Sequence, residues 1–260
     1  MGRTSLRAIA MAASITCLIC GIARADWTDT FDNNSYDQPT WTFFSSPSGG
    51  TASIVDVAAT TDDYLQLGGG SGIVIGGGLV LGESFTNVGV SGWVNEKGDN
   101  VGAYNLTDHL LLARTTLTSG VDGYGLILDW ELDGIELNVI KFDDGSPTAG
   151  GTPVMFFTDT ANLDQRLWVQ LSVVGSTNPV LTGRVFDAPS GTLLGTATYT
   201  DNSGTPYLSG FSGIGAVADG TSGYTGTFDN ITSVVPEPTS ALLLMISVGS
   251  LGMRRRSDTR

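Results

Sequence analysis

Apolar and polar residues alternate in short runs along most of this chain, and clusters of Gly, Pro, Asp and Asn separate the runs. Alternation with a period of two marks a half-buried β-strand, because successive side chains point to opposite faces. Such runs fall at Trp41–Phe44, Ala52–Val57, Tyr64–Leu67, Phe85–Val94, Leu110–Thr115, Tyr124–Glu131 and Ile135–Phe142. They continue at Val154–Phe157, Leu167–Val174, Leu181–Phe186, Leu193–Tyr199, Gly213–Ala218 and Gly226–Val234. Short strands at regular spacing with turn clusters between them predict an all-β sandwich or barrel. Two hairpins are marked. Asp133-Gly134 lies between two runs and is a favoured type I′ turn, and Pro189-Ser190-Gly191 joins another pair.

The glycine-rich stretch 68–78 has neither the Gly-x-Gly-x-x-Gly spacing nor a Walker lysine, and no helical pattern follows it. It reads as Gly-rich edge strands and turns. The two ends of the chain break the pattern. Arg3 and Arg7 precede an apolar core, Ala8 to Ile22, and Ala23-Arg24-Ala25 supplies a small-x-small cleavage site. Residues 1–25 therefore read as an export signal forming a helix, with Asp26 as the mature N-terminus. Cys17 and Cys20 both lie inside it, so the mature protein is expected to hold no cysteine and no disulfide. At the other end, Val235-Pro236-Glu237-Pro238 is stiff and extended, since each proline fixes its own φ and restricts its predecessor. A short apolar helix-prone run to Met253 follows, and then Arg254-Arg255-Arg256, which belong on the cytoplasmic side of a membrane. Fifteen residues from Thr239 to Met253 make a marginal span against the roughly 20 a bilayer requires.

Charge narrows the choice of partners. The chain has a net charge of −14, and its body between residues 26 and 234 holds 24 acidic residues against five basic ones. Such a field repels nucleic acid and anionic headgroups, so a nucleic-acid groove is excluded. The acidic surface serves solubility, or its carboxylates serve as hard-oxygen ligands for a divalent cation.

The order Pro-Glu-Pro, apolar run, arginine cluster resembles the PEP-CTERM sorting tail of Gram-negative bacteria. The resemblance implies recognition by an exosortase after passage through the general secretion machinery. It further implies a transient inner-membrane anchor and a final place at the cell surface or in the extracellular matrix. Within the body, Trp27-Thr28-Asp29-Thr30-Phe31-Asp32 opens the series of strands. It is followed by Gly123–Leu128 with its partner Glu136–Val139, then Leu167–Val173, Thr182–Asp187 and Gly226–Ile231. This order is similar to the concanavalin-A-like, laminin-G-like jelly roll, two antiparallel sheets of about six or seven strands each. Three segments are expected: a signal at 1–25, a jelly-roll body at 26–234 and a sorting tail at 235–260.

Three chemistries follow. Laminarinase-type glycoside hydrolases share this fold and carry a Glu-x-Asp-x-(x)-Glu motif, which Glu131, Asp133 and Glu136 resemble. By that resemblance Glu131 is the nucleophile, Asp133 the helper and Glu136 the acid, about 5–5.5 Å from the nucleophile for a retaining reaction. Gly134 departs from the motif, the Asp-Gly turn would set the glutamates on different strands, and Trp130 is the lone aromatic nearby. The favoured reading is therefore a non-catalytic module for polysaccharide, with the hydrolase and a purely structural matrix protein as alternatives. Jelly rolls of this sort often carry a structural calcium ion between first and last strands, and Asp32-Asn33 and Asp229-Asn230 are the matching pairs; Asp and Asn that merely shape turns give the same sequence. His109, a lone histidine at a strand end, reads as a surface residue.

Overall fold

The computed structural model of the protein describes residues 27–32, 41–46, 50–55, 63–69, 74–79, 87–95, 107–117, 120–131, 134–156, 166–218 and 224–234. Residues Asp26–Val234 form one compact unit. The signal residues Ala23 and Ala25 lie outside the described residues. So do Asp133 and the tail residues Val235, Pro236, Glu237, Pro238, Arg254, Arg255 and Arg256. Among the described residues no helix is long and apolar enough to cross a membrane.

Sixteen strands make up the described body. The first eight are β1 (Trp27–Asp29), β2 (Trp41–Ser46), β3 (Thr51–Val55), β4 (Tyr64–Gly69), β5 (Val74–Leu79), β6 (Asn87–Asn95), β7 (Thr107–Leu117) and β8 (Val121–Glu131). The others are β9 (Gly134–Asp143), β10 (Ser146–Gly150), β11 (Val154–Met155), β12 (Leu167–Val174), β13 (Val180–Phe186), β14 (Leu193–Thr200), β15 (Phe211–Ala218) and β16 (Tyr224–Val234). They form two antiparallel sheets of eight. The first sheet has the order β14-β13-β12-β6-β16-β4-β3, with β1 also on β16. The second runs β10-β9-β8-β7-β15-β5-β2, with β11 also on β9. This is the all-β sandwich that the alternation predicts and the two-sheet jelly roll that the resemblance implies, with eight strands in each sheet rather than six or seven. β5 departs from the expectation of an edge: it lies between β15 and β2, where Gly76 and Gly78 pair with Gly215 and Gly213.

The inward side of each strand builds the core. β12 alternates without a break, so Leu167, Val169, Leu171 and Val173 point inward and Trp168, Gln170 and Ser172 outward. Across the sandwich stand Leu126, Leu128 and Trp130 of β8 with Ile135, Leu137 and Val139 of β9. A Cβ on Gly183 would meet Val139 Cγ1 at 2.7 Å and Leu126 Cδ1 at 3.0 Å, so the missing side chain lets the sheets approach. His109 is not on the surface. It is 1% exposed, with its ring 4.5 Å from Trp130 and 5.4 Å from Phe228. The strand parity that puts Leu111 and Ala113 in the core puts His109 there as well.

Register corrects one hairpin and adds another. Glu131 pairs with Gly134, so Gly134 already belongs to the ladder. In this register the core residues Trp130 and Ile135 stand opposite each other. The type I′ Asp-Gly turn appears instead at Asp144-Gly145, with φ of 51° and 77°. It closes the β9–β10 hairpin, and Asp144 N–H donates to Asp122 Oδ1 at 2.6 Å.

A buried polar cluster closes the sandwich where β14 crosses to β15. Lys141 Nζ lies 3.0 Å from Asp201 Oδ2, and the two side chains are 7% and 0% exposed. The Tyr124 hydroxyl donates to Asp201 Oδ2 at 2.8 Å and accepts from Tyr207 N–H at 3.0 Å. Ser203 N–H donates to Asp201 Oδ1 at 2.9 Å, and Lys141 Nζ also reaches Ser203 Oγ and the Thr205 carbonyl. A bulge in β7, with Arg114 at φ 51°, aims its guanidinium at the carbonyls of Tyr207 and Gly175. Burial alone would raise the Asp201 carboxyl. The Ser203 hydroxyl and amide, the Tyr124 hydroxyl and the Lys141 ammonium outweigh it and hold the group down at about 2. Burial and the adjacent Asp201 push the Tyr124 hydroxyl well above its ordinary value.

Candidate ligand-binding face

The outward side of the first sheet carries a row of aromatic side chains across neighbouring strands. Phe186 of β13 pairs with Trp168 of β12, and Trp168 pairs with Trp93 of β6. The two indoles meet edge to face, with centroids 5.5 Å apart and planes at 81°. All three aromatic residues are partly exposed. Next in the row comes Asp229 of β16, paired with Trp93. Arg166, just before β12, lies over the Trp93 ring at 4.6 Å and forms an ion pair with Asp229. The guanidinium thus covers one indole and neutralises the neighbouring carboxylate. Trp168 Nε1 is buried and finds no acceptor among the described residues.

One step along the strands lies a polar row. Arg184, Gln170, Ser91 and Thr232 stand side by side in register, and Thr232 shares a hydrogen bond of 3.0 Å with Thr28. Thr196 and Thr198 of β14 extend the hydroxyl surface and are exposed. This adjacency of rings and hydrogen-bonding side chains suits a sugar, whose apolar ring face stacks while its rim hydroxyls seek donors and acceptors.

Charge separates the two sheets sharply. The eight strands of the first hold two acids, Asp29 and Asp229. Asp29 is buried and accepts from Phe31 N–H at 3.0 Å and from Trp41 Nε1 at 2.6 Å. The strands of the second sheet hold six acids: Asp108, Asp122, Asp129, Glu131, Glu136 and Asp143. In a strongly acidic chain, the outer face of the first sheet is locally free of unpaired carboxylate among the described residues.

The acids of the hydrolase-like motif lie on the second sheet. Glu131 ends β8 opposite Gly134, while Glu136 sits on β9 opposite Asp129. The two glutamates are on different strands. Trp130 between them points into the core, 0% exposed, so it offers no platform for a sugar ring.

The expected calcium pair does not fit an ion. Asp229 Oδ2 accepts from Arg166 and from Asn230 Nδ2 at 2.9 Å, and a guanidinium beside a carboxylate repels a second cation. Asp32 is partly exposed in a short turn after β1, and Asn33 lies outside the described residues. First and last strands are joined directly, by the pairing of Trp27–Asp29 with Ile231–Ser233. Among the described residues no group of three or more His, Cys, Asp or Glu is gathered to hold a metal.

No protein-family model and no curated protein sequence matches the chain. Solved structures do match its fold. The carbohydrate recognition domain of Emp47p superposes with a TM-score of 0.54 at 10% identity, covering 80% of this chain and 95% of that one. The Ca²⁺-bound exoplasmic/lumenal domain of VIP36 gives 0.52 at 12%, covering 81% and 90%. An engineered GH43 glycoside hydrolase gives 0.52 at 10%, covering 82% of this chain but 41% of the enzyme. At such identities the likeness is one of fold, a lectin-like jelly roll.

Proposed function

We propose that this is an exported surface protein whose jelly-roll body binds polysaccharide without cleaving it. The carrying observation is the cross-strand row Phe186–Trp168–Trp93, set beside hydrogen-bonding side chains on a face without an unpaired carboxylate among the described residues. A second, lesser support is that Emp47p and VIP36, which share the fold, are a carbohydrate recognition domain and an exoplasmic/lumenal domain. The hydrolase alternative has the GH43 fold likeness in its favour, yet Glu131 and Glu136 lie on separate strands and their aromatic neighbour is a core residue.

The test is binding of the full chain to a panel of soluble and insoluble polysaccharides. Base-stacking and sugar-stacking aromatics share one physics, in which a large ring desolvates a flat partner, and losing one contact of this kind costs about tenfold or more. Trp168→Ala is expected to reduce retention at least that far with little change in melting temperature. Retention equal to wild type would remove the face from consideration. Release of reducing ends from any glucan, abolished by Glu131→Gln, would favour the hydrolase instead.

The sorting part of the proposal rests on the order of the tail. Glu237→Ala is expected to leave the protein uncut and retained in the membrane fraction of its host. Normal processing of that variant would dismiss the exosortase assignment and leave the binding face untouched.

A further inference from the structure

We propose that the glycan held on the first sheet is an acidic one, with its carboxylate received by Arg184 beside Gln170. This rests on the binding reading above and names the ligand class of the same face.

The body holds five basic residues, Lys97, Arg114, Lys141, Arg166 and Arg184. Lys141 and Arg114 are consumed in the buried polar cluster, and Arg166 is bound to Asp229 over Trp93. Lys97 lies outside the described residues. Arg184 is exposed, and its guanidinium has no hydrogen bond or ion pair among the described residues. Asp187, at the tip of the same hairpin, turns its Oδ1 to Thr192 N–H at 2.6 Å. An unspent guanidinium is thus presented in the polar row, next to the aromatic one.

Position makes this cation useful. Arg184 and Phe186 share one face of β13, two residues and hence about 6.6 Å apart, and Gln170 stands opposite Arg184 on the next strand, about 4.8 Å away. A sugar ring over Phe186 and Trp168 therefore directs an exocyclic carboxylate at Arg184, with the Gln170 amide at its side. The guanidinium fork matches a carboxylate in two parallel hydrogen bonds, which a hydroxyl cannot reproduce.

The overall negative charge does not forbid such a ligand. Packed sheets stand about 10 Å apart, and the acids on the far side of the second sheet lie beyond the Debye length of about 8 Å at physiological salt. Their repulsion is largely screened at the first sheet's surface. At low salt it returns, so the acidic ligand is expected to bind no better there.

The probe is polygalacturonate together with its carboxyl-reduced form, which keeps the linkage and loses the charge. Binding of the full chain is measured at about 0.15 M salt for wild type, Arg184→Gln and Trp168→Ala. Wild type is expected to prefer the acidic polymer by about tenfold, the lower end of what a charge-assisted hydrogen bond contributes. Arg184→Gln should bind both polymers alike, and Trp168→Ala should lose both. Equal binding of the two polymers by wild type, or a preference that survives in Arg184→Gln, overturns the acidic ligand and leaves the platform standing. Binding of neutral β-glucan alone has the same meaning. Failure to bind any polysaccharide of the panel overturns the platform itself.

Discussion

Asp201→Ala is expected to destabilise the body by about 3–5 kcal/mol, because it strands the Lys141 ammonium in a buried site without its counter-charge. The loss is larger than one hydrogen bond, since Tyr124 and Ser203 lose their shared acceptor in the same step. In a domain of this size it lowers the melting temperature by roughly 10 °C. Asp201→Asn keeps the shape and removes only the charge, so most of the loss should remain. Joint replacement of Lys141 by Met and Asp201 by Leu should recover much of it, as buried pairs replaced by apolar residues of like volume often do. A double variant as unstable as Asp201→Ala would show that the hydrogen bonds, rather than the ion pair, hold the strap 201–210.

The same carboxylate sets an acid limb. Its folded value of about 2 lies below the ordinary 3.8, so the group binds fewer protons folded than unfolded. Its contribution is therefore present above about pH 4 and is lost as pH falls toward 2, amounting to about 2 kcal/mol. Melts across that window should fall in wild type and be flatter in Asp201→Asn.

Most strands were legible because one face of each is buried and the other wet. Leu167–Val174 shows it plainly: the run read from alternation has the same bounds as β12. β10 escaped because Ser146, Pro147 and Gly150 carry no apolar alternation, and an exposed edge strand needs none. β5 was misplaced for a related reason. Its glycines carry no side chain to signal burial, although paired strands flank it on both sides. Asp133-Gly134 and Asp144-Gly145 are the same dipeptide, and nothing local tells that Gly134 belongs to the ladder while Gly145 belongs to a turn.

The candidate site was hidden by distance along the chain. Trp93 and Trp168 each stand at an outward position of a readable strand, and that much parity is visible in the sequence. That β6 and β12 pair in the register placing one indole against the other depends on a long-range pairing which local pattern does not contain. Asp229 looked like a cation ligand because its partner Arg166 is 63 residues away. Trp130 looked like a sugar platform because it adjoins the acids, although alternation alone assigns it to the opposite face from Glu131.

That parity yields the second large effect. Trp130→Ala is expected to cost about 3–5 kcal/mol, the usual range for deleting a fully buried Trp whose surroundings collapse only in part. The indole is enclosed by His109, by Ile135 opposite and by the aliphatic core, so the cavity lies between the two sheets. Retention on polysaccharide below the lowered melting point should be unchanged, because the outer row of the first sheet does not include it. Trp168→Ala should give the reverse, with near-normal stability and lost retention. Measuring both variants by denaturant unfolding and by binding separates the core tryptophan from the surface one. If Trp130→Ala kept its stability and lost retention, the binding site would belong on the second sheet beside Glu131 and Glu136.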